Sequence, residues 1–179
     1  MEELPMDLHR EICRLAAELV SELTRQGLHI ATAESLTGGM VSERITDVPG
    51  ASAVLECGVC SYSNRIKHEV LGVSNETLEK YTEYSMQTAC EMADGVRRLA
   101  GADIGIATTG IAGPAGGTDD KPVGSVFIGV STDKKTFSQA FRFGAQSGGK
   151  RENVRLLACM NALQMALREV TKTDDGSSL

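Results

Sequence analysis

Residues 28–45 read L-H-I-A-T-A-E-S-L-T-G-G-M-V-S-E-R-I. Residues 28–32 have the apolar, β-favouring character of a short strand. Met40, Val41 and Ile45, with Ser42, Glu43 and Arg44 between them, have the spacing of one or two turns of amphipathic helix. A strand that hands over to a helix across small polar residues is the basic step of an α/β fold. At the handover stand Ser35, Thr37 and the adjacent glycines Gly38 and Gly39. Glycines there let backbone approach a ligand closely, and a helix start offers free N–H groups and a positive dipole. The hydroxyls read in two ways. One of them is a nucleophile whose oxyanion those N–H groups support, or Ser35 or Thr37 caps the helix.

Outward from this stretch, an apolar stripe (Leu8, Ile12, Leu15, Ala16, Leu19, Leu23) predicts a helix over 7–26, capped by Asp7 and ended by Gly27. A turn at 47–50 leads to a strand over 53–62. Ser63 or Asn64 then caps a short helix to Leu71, Ser74 caps another, and Ser85 caps a longer one over 86–100 that Gly101 closes. Residues 103–109 form a compact apolar strand. Strands over 123–132 and 136–143 make a hairpin through Asp133, Lys134 and Lys135, and a last helix covers 151–170. Helices interleaved with strands, plus one hairpin, predict an α/β layer fold with a mixed sheet. The expected organisation is one domain over 1–171 and a disordered tail over 172–179.

With 41% apolar and 23% charged residues the composition is that of a globular protein. A net charge of −6, aromatic content of 4% and no Trp argue against a non-specific nucleic-acid binder, which needs a basic stripe and stacking rings. No apolar run reaches the roughly 18 residues of a spanning helix, and the acidic N-terminus is unlike a signal peptide, so no membrane partner and a cytoplasmic location are expected. Five scattered cysteines make no disulfide framework. Cys57 and Cys60 stand three apart within a strand, so their side chains face opposite ways, and no second pair completes a metal site. The cysteines are read as small apolar core residues.

A nucleophilic serine needs a base. His9, His29 and His68 carry no flanking signal of a triad. Lys67 follows Tyr62-Ser63-Asn64-Arg65-Ile66 at the start of a helix, where the dipole and any burial lower its pKa. Strand ends on one edge of an α/β sheet share a crevice, so Ser35, Tyr62 and Lys67 can meet there. A solvated surface lysine is the alternative. The glycine-rich loop 110–122, with two prolines and Lys121 near its end, is longer than a connection requires, and its amides can cradle an anion or a carbonyl. G-A-Q-S-G-G-K-R (144–151) fits the first seven positions of a P-loop, but Arg151 stands where the magnesium-binding Ser or Thr belongs. A turn that offers Lys150, Arg151 and Arg155 to one phosphate fits it better.

Together these stretches resemble the C-terminal domain of the competence/damage-inducible CinA family, whose stand-alone members are nicotinamide-nucleotide amidases. The resemblance runs from about residue 12 to 170. It is carried by T-A-E-S-L-T-G-G (32–39), Y-S-N-R-I-K (62–67), T-G-I-A-G-P-A-G-G-T-D-D-K-P-V-G (109–124) and G-K-R-E-N-V-R (149–155). It implies a three-layer α/β/α sandwich with a mixed sheet. It implies hydrolysis of nicotinamide mononucleotide to nicotinic acid mononucleotide and ammonia, without metal or organic cofactor, by a homodimer or larger assembly. Ser35 would be the nucleophile, Lys67 the base, and Tyr62 a relay or positioning group. Thr37, Gly38, Gly39, Asn64, Thr109, Gly110 and Gly113 would contact substrate. Arg151 and Arg155 would hold the 5′-phosphate or an inter-subunit ion pair. A non-catalytic nucleotide-binding module of the same fold is the alternative. Three departures stand out. Residues 81–85 read Y-T-E-Y-S where the family tends to a small G-A-V-S-like turn. The turn 144–150 is longer, with Lys150 in place of an acidic residue. The N-terminal molybdopterin-binding-like domain of larger members has no counterpart in these residues.

Overall fold

The computed structural model describes residues 3–172, with side chains from residue 7 onward. In chain order the elements are α1 (Glu3–Gln26), β1 (Ile30–Glu34), α2 (Met40–Thr46), β2 (Leu55–Cys60), α3 (Asn64–Leu71), α4 (Asn75–Tyr81), α5 (Met86–Ala100), β3 (Ile104–Gly110), β4 (Ser125–Ser131), β5 (Thr136–Arg142) and α6 (Arg151–Val170). The strands form one mixed sheet in the order β2-β1-β3-β4-β5. β1 runs parallel to both β2 and β3, and β4 and β5 are antiparallel additions. From β1 the chain moves to β2 on one side and then crosses to β3 on the other. The C-terminal end of β1 is therefore a topological switch point, where crevices open in such sheets.

Alternation along the strands sorts the core into two layers. Ile30, Ile104 and Ile106 join a large cluster with α1, α2 and α6, whereas Ala31, Ala33 and Ala107 join a smaller one with Leu71, Met92, Ala93 and Val96 from α3 and α5. The architecture is thus the expected three-layer sandwich. α6 lies over β3 and β4 with α1 packed along it, which explains its nearly all-round burial and its small residues Ala158, Cys159, Ala162 and Ala166. On the opposite face α5 comes unusually close to the sheet. A Cβ at Gly105 or Gly129 would lie 2.1 Å from the carbonyl oxygen of Ala93 or Ala89.

Several boundaries shift from the expectation. Pairing with β3 holds β1 in register from Ile30 to Glu34, so the strand ends two residues later and Ser35 is the first residue off it. Residues 51–53 are a 3₁₀ turn and β2 starts only at Leu55. α1 begins before Asp7, which therefore does not cap it. Ser63, Ser74 and Ser85 cap α3, α4 and α5 as expected. The core-cysteine reading holds for Cys159 alone. Cys13 and Cys60 are exposed and Cys57 and Cys90 half-buried, because outer helix and edge-strand positions carry them. Of the expected tail only Lys172 is described, and it pairs with Glu169 at 2.9 Å. Residues 173–179 lie outside the described residues.

Candidate active site

Ser35 continues the alternation of Ala31 and Ala33 past the end of β1 and so turns toward the α3 side of the sheet. There it meets Lys67. Ser63 accepts from the Ile66 amide and fixes the start of α3, and Lys67 follows at the end of its first turn. The Lys67 Nζ lies 3.3 Å from Ser35 Oγ and donates to the carbonyls of Ser61 at 2.8 Å and Tyr62 at 3.4 Å. Lys67 is only 1% exposed and Ser35 6%. Burial disfavours the ammonium form and pushes the Lys67 pKa down to about 8, against a smaller opposing pull from the Glu83 carboxylate. The alternative of a solvated surface lysine fails on this burial. The Ser61 hydroxyl beside this pair is fully buried and has no partner among the described residues.

The turn after Ser35 is held by residues whose part is not evident from the sequence. Neither Ser35 nor Thr37 caps α2. Gly39 occupies the cap position at φ 100° with no side-chain cap bond. Instead the buried Glu34 carboxylate accepts from the amides of Gly39, Val41 and Ser42 at 2.9, 3.0 and 2.9 Å, and from the Ser42 hydroxyl at 3.0 Å. This charge is well placed against the helix dipole. It also means that the α2 N-terminus is already occupied and offers no free cradle to a ligand, contrary to the expectation. The only signal in the sequence was an acid directly before the hydroxyl. Thr37 Oγ1 lies 2.7 Å from Thr108 Oγ1 on β3, and Arg155 donates from α6 to the carbonyls of Leu36 at 3.1 Å and Thr37 at 2.8 Å. Gly38, at φ 62°, gives the backbone its reversal.

A cavity of about 460 Å³ opens beside Ser35, within the range of small-molecule sites. Its floor is Ser35, Leu36 and Lys67. Tyr62, Ser63 and Asn64 form one side, the loop from Gly110 to Gly116 another, and Glu83, Tyr84 and Arg151 the rim. Gly110 and Gly113 carry φ of 152° and 81°, and a Cβ there would strike Ser125 O and Val123 Cγ1 at 2.4 and 2.5 Å, so this loop follows a path closed to other residues. Arg151 donates to the Gly113 carbonyl at 2.7 Å and reaches the Tyr62 hydroxyl at 3.4 Å. The exposed Tyr62 ring therefore points toward Arg151, and it is the Tyr62 carbonyl that meets Lys67. Among the described residues, the pocket amides of Leu36, Ala112 and Gly113 donate to no other group.

Of the residues singled out from the sequence, Ser35, Tyr62, Lys67, Asn64, Gly110, Gly113 and Arg151 line one cavity. Thr37, Gly38, Gly39, Thr109 and Arg155 do not, because their polar groups and conformations are spent on the frame. Thr109 Oγ1, for example, donates to the Glu83 carbonyl at 2.6 Å. A shared phosphate site at Lys150, Arg151 and Arg155 is not formed, since the two arginines serve different carbonyls. The P-loop resemblance also fails in detail. The amides of Ser147, Gly148, Gly149 and Lys150 all donate within their own turn and leave no nest for an anion. Glu83 and Tyr84, which no motif indicated, belong to the atypical segment 81–85. Among the described residues no group of three or more His, Cys, Asp or Glu is placed to hold a metal ion, and no helix is long and apolar enough to cross a membrane.

Comparison with known proteins follows the same lines. A family model described as CinA C-terminal domain matches residues 13–170. A "Putative competence-damage inducible protein" of Acetivibrio thermocellus is 51% identical over 84% of this chain, which spans about a third (35%) of that relative. The same fraction holds for similar proteins of Caldanaerobacter and Thermoanaerobacter. "Nicotinamide-nucleotide amidohydrolase PncC" of Enterobacter agglomerans is 43% identical, with 91% of this chain and 98% of the relative covered. The crystal structure of competence/damage inducible protein CihA from Agrobacterium tumefaciens superposes with a TM-score of 0.85 at 36% identity, covering 90% of this chain and 96% of that one.

Proposed function

This chain belongs to the CinA C-terminal domain family, and we propose that it is an amidase that hydrolyses nicotinamide mononucleotide to nicotinic acid mononucleotide and ammonia. The observation that carries this reading is the buried Lys67 amine 3.3 Å from the Ser35 hydroxyl at the floor of an open pocket. The likeness to an amidohydrolase across nearly its whole length supports the choice of reaction.

In this mechanism neutral Lys67 takes the Ser35 proton as Oγ attacks the carboxamide carbon. The undonated amides of Leu36, Ala112 and Gly113 supply hydrogen bonds to the oxyanion, in place of the α2 amides that Glu34 occupies. The tetrahedral intermediate collapses as the Lys67 ammonium returns its proton to the departing nitrogen, which releases ammonia and leaves an ester on Ser35. Water, deprotonated by Lys67, cleaves the ester and frees the carboxylate. Tyr62 acts as a positioning residue through its carbonyl, and Arg151 at the rim takes the 5′-phosphate. The reading carries with it a place in pyridine-nucleotide recycling in the cytoplasm and a homodimer or larger assembly.

The test is ammonia release from nicotinamide mononucleotide at neutral pH in EDTA. Wild-type release that falls by at least about 100-fold in both Ser35→Ala and Lys67→Ala supports the mechanism. A folded wild type that releases none overturns it.

A further inference from the structure

The rim of the pocket carries groups that the hydrolytic steps leave unused. Thr82 is the one non-glycine residue at positive φ among the described residues, with φ 68° and ψ 171°. A β-branched residue takes such a conformation only where the surroundings impose it. Here they do. Lys121 donates to the Tyr81 carbonyl at 2.9 Å and to Thr82 Oγ1 at 2.8 Å. The hydroxyls of Ser85 and Thr88 donate to the Thr82 carbonyl, and Thr109 holds the Glu83 carbonyl. All of these bonds fix backbone or Thr82, and none uses the Glu83 carboxylate. The strained turn thus presents a half-buried carboxylate to the cavity without an ion pair among the described residues. The carboxylate is close enough to Lys67 to oppose in part the lowering that burial imposes on that amine, and it adds to the rise that burial gives the Tyr84 phenol. Tyr84 and Tyr62 stand with it along the same cavity, and Arg151 is the cation of the rim.

A carboxylate flanked by aromatic rings is the chemistry that holds a fixed organic cation. We propose that Glu83, with Tyr84 and Tyr62 beside it, is the subsite for the positive charge of an N-alkylpyridinium ring, so that the pocket selects cationic pyridinium carboxamides over their neutral-ring counterparts. The inference rests on the amidase reading for which ring is bound. That ring carries its charge within the same six atoms that bear the carboxamide presented to Ser35. Hydrolysis then places a second carboxylate near Glu83, which favours departure of the product.

The test compares nicotinamide mononucleotide with its 1,4-dihydro form, which keeps ribose, phosphate and carboxamide but loses the ring charge. Binding is measured by calorimetry on the Ser35→Ala protein, where no turnover intervenes. The oxidised nucleotide is expected to bind at least about 10-fold tighter. Glu83→Gln in the same background brings the ratio to about unity by weakening the oxidised form alone, and Tyr84→Leu lowers it while Tyr84→Phe preserves it. Equal binding of the two forms to the parent protein overturns the proposal whatever the variants do. So does equal weakening of both forms by Glu83→Gln, or no binding at all to folded protein. Failure of the amidase reading looks different: the charge preference persists while the wild type releases no ammonia.

Discussion

Lys67 shows how a single side chain acquires a function from its surroundings. Exposed, it would hold its proton until about pH 10.5. Buried against Ser35, it gives the proton up near pH 8. The base form therefore grows as pH rises, and kcat/KM is expected to climb about tenfold per unit below pH 8 and level off above it. A profile that falls through this range would remove Lys67 as the base. The same burial marks stability. Below pH 8 both folded and unfolded chains hold the proton, and confining the ammonium costs the folded state about 3 kcal/mol at 1.36 kcal/mol per unit. Between pH 8 and 10.5 only the unfolded chain holds it, so stability rises with pH across that window. Lys67→Met is expected to be inactive yet at least as stable as wild type at pH 7, with the difference closing toward pH 10.5 in urea titrations.

Elements matter here through what lies at their ends. α2 is only seven residues long and has no capping side chain of its own, so its first turn depends on Glu34 from β1. Glu34→Ala leaves three amides without acceptors and is expected to cost on the order of 3 kcal/mol, read by denaturation, with activity falling as the turn after Ser35 loosens. Stability within about 0.5 kcal/mol of wild type would show that the helix holds itself. α6 contributes two arginines one turn apart with separate duties. Arg155 fixes the carbonyls of Leu36 and Thr37, so Arg155→Lys is expected to lower kcat and leave KM nearly unchanged. Arg151 faces the pocket, and Arg151→Ala is expected to raise KM for the mononucleotide. The reverse pattern would exchange their roles.

On the scale of the whole molecule the two core layers share one sheet, and α5 closes the smaller layer by lying almost on the strands. Gly105 and Gly129 make that approach possible. Gly129→Ala forces α5 away from β4 and is expected to cost at least about 2 kcal/mol, lowering Tm by roughly 5 °C or more. Because α5 also follows the turn that carries Glu83 and Tyr84, activity should fall with it. Calorimetry should show one transition that shifts as a unit, since neither layer is covered without the other. A split transition would mean that the layers unfold separately.

Local patterns in the sequence were enough for the α/β class, the hairpin through Asp133 to Lys135 and the caps at Ser74 and Ser85. Each of these depends on alternation, helical spacing or a residue's own backbone preference, and such signals lie within a few positions of one another. The same patterns left the α3 cap open between Ser63 and Asn64 and offered the meeting of Ser35 and Lys67 only beside a solvated surface lysine. Tertiary structure alone decided that Lys67 is buried, that Glu34 occupies the α2 amides, that Arg155 braces the turn while Arg151 faces the pocket, and that Glu83 and Tyr84 reach the rim. These outcomes depend on partners as far as 119 positions away in the chain, as with Arg155 and Leu36. Desolvation and hydrogen-bond competition are properties of the packed neighbourhood, and no spacing along the chain records them.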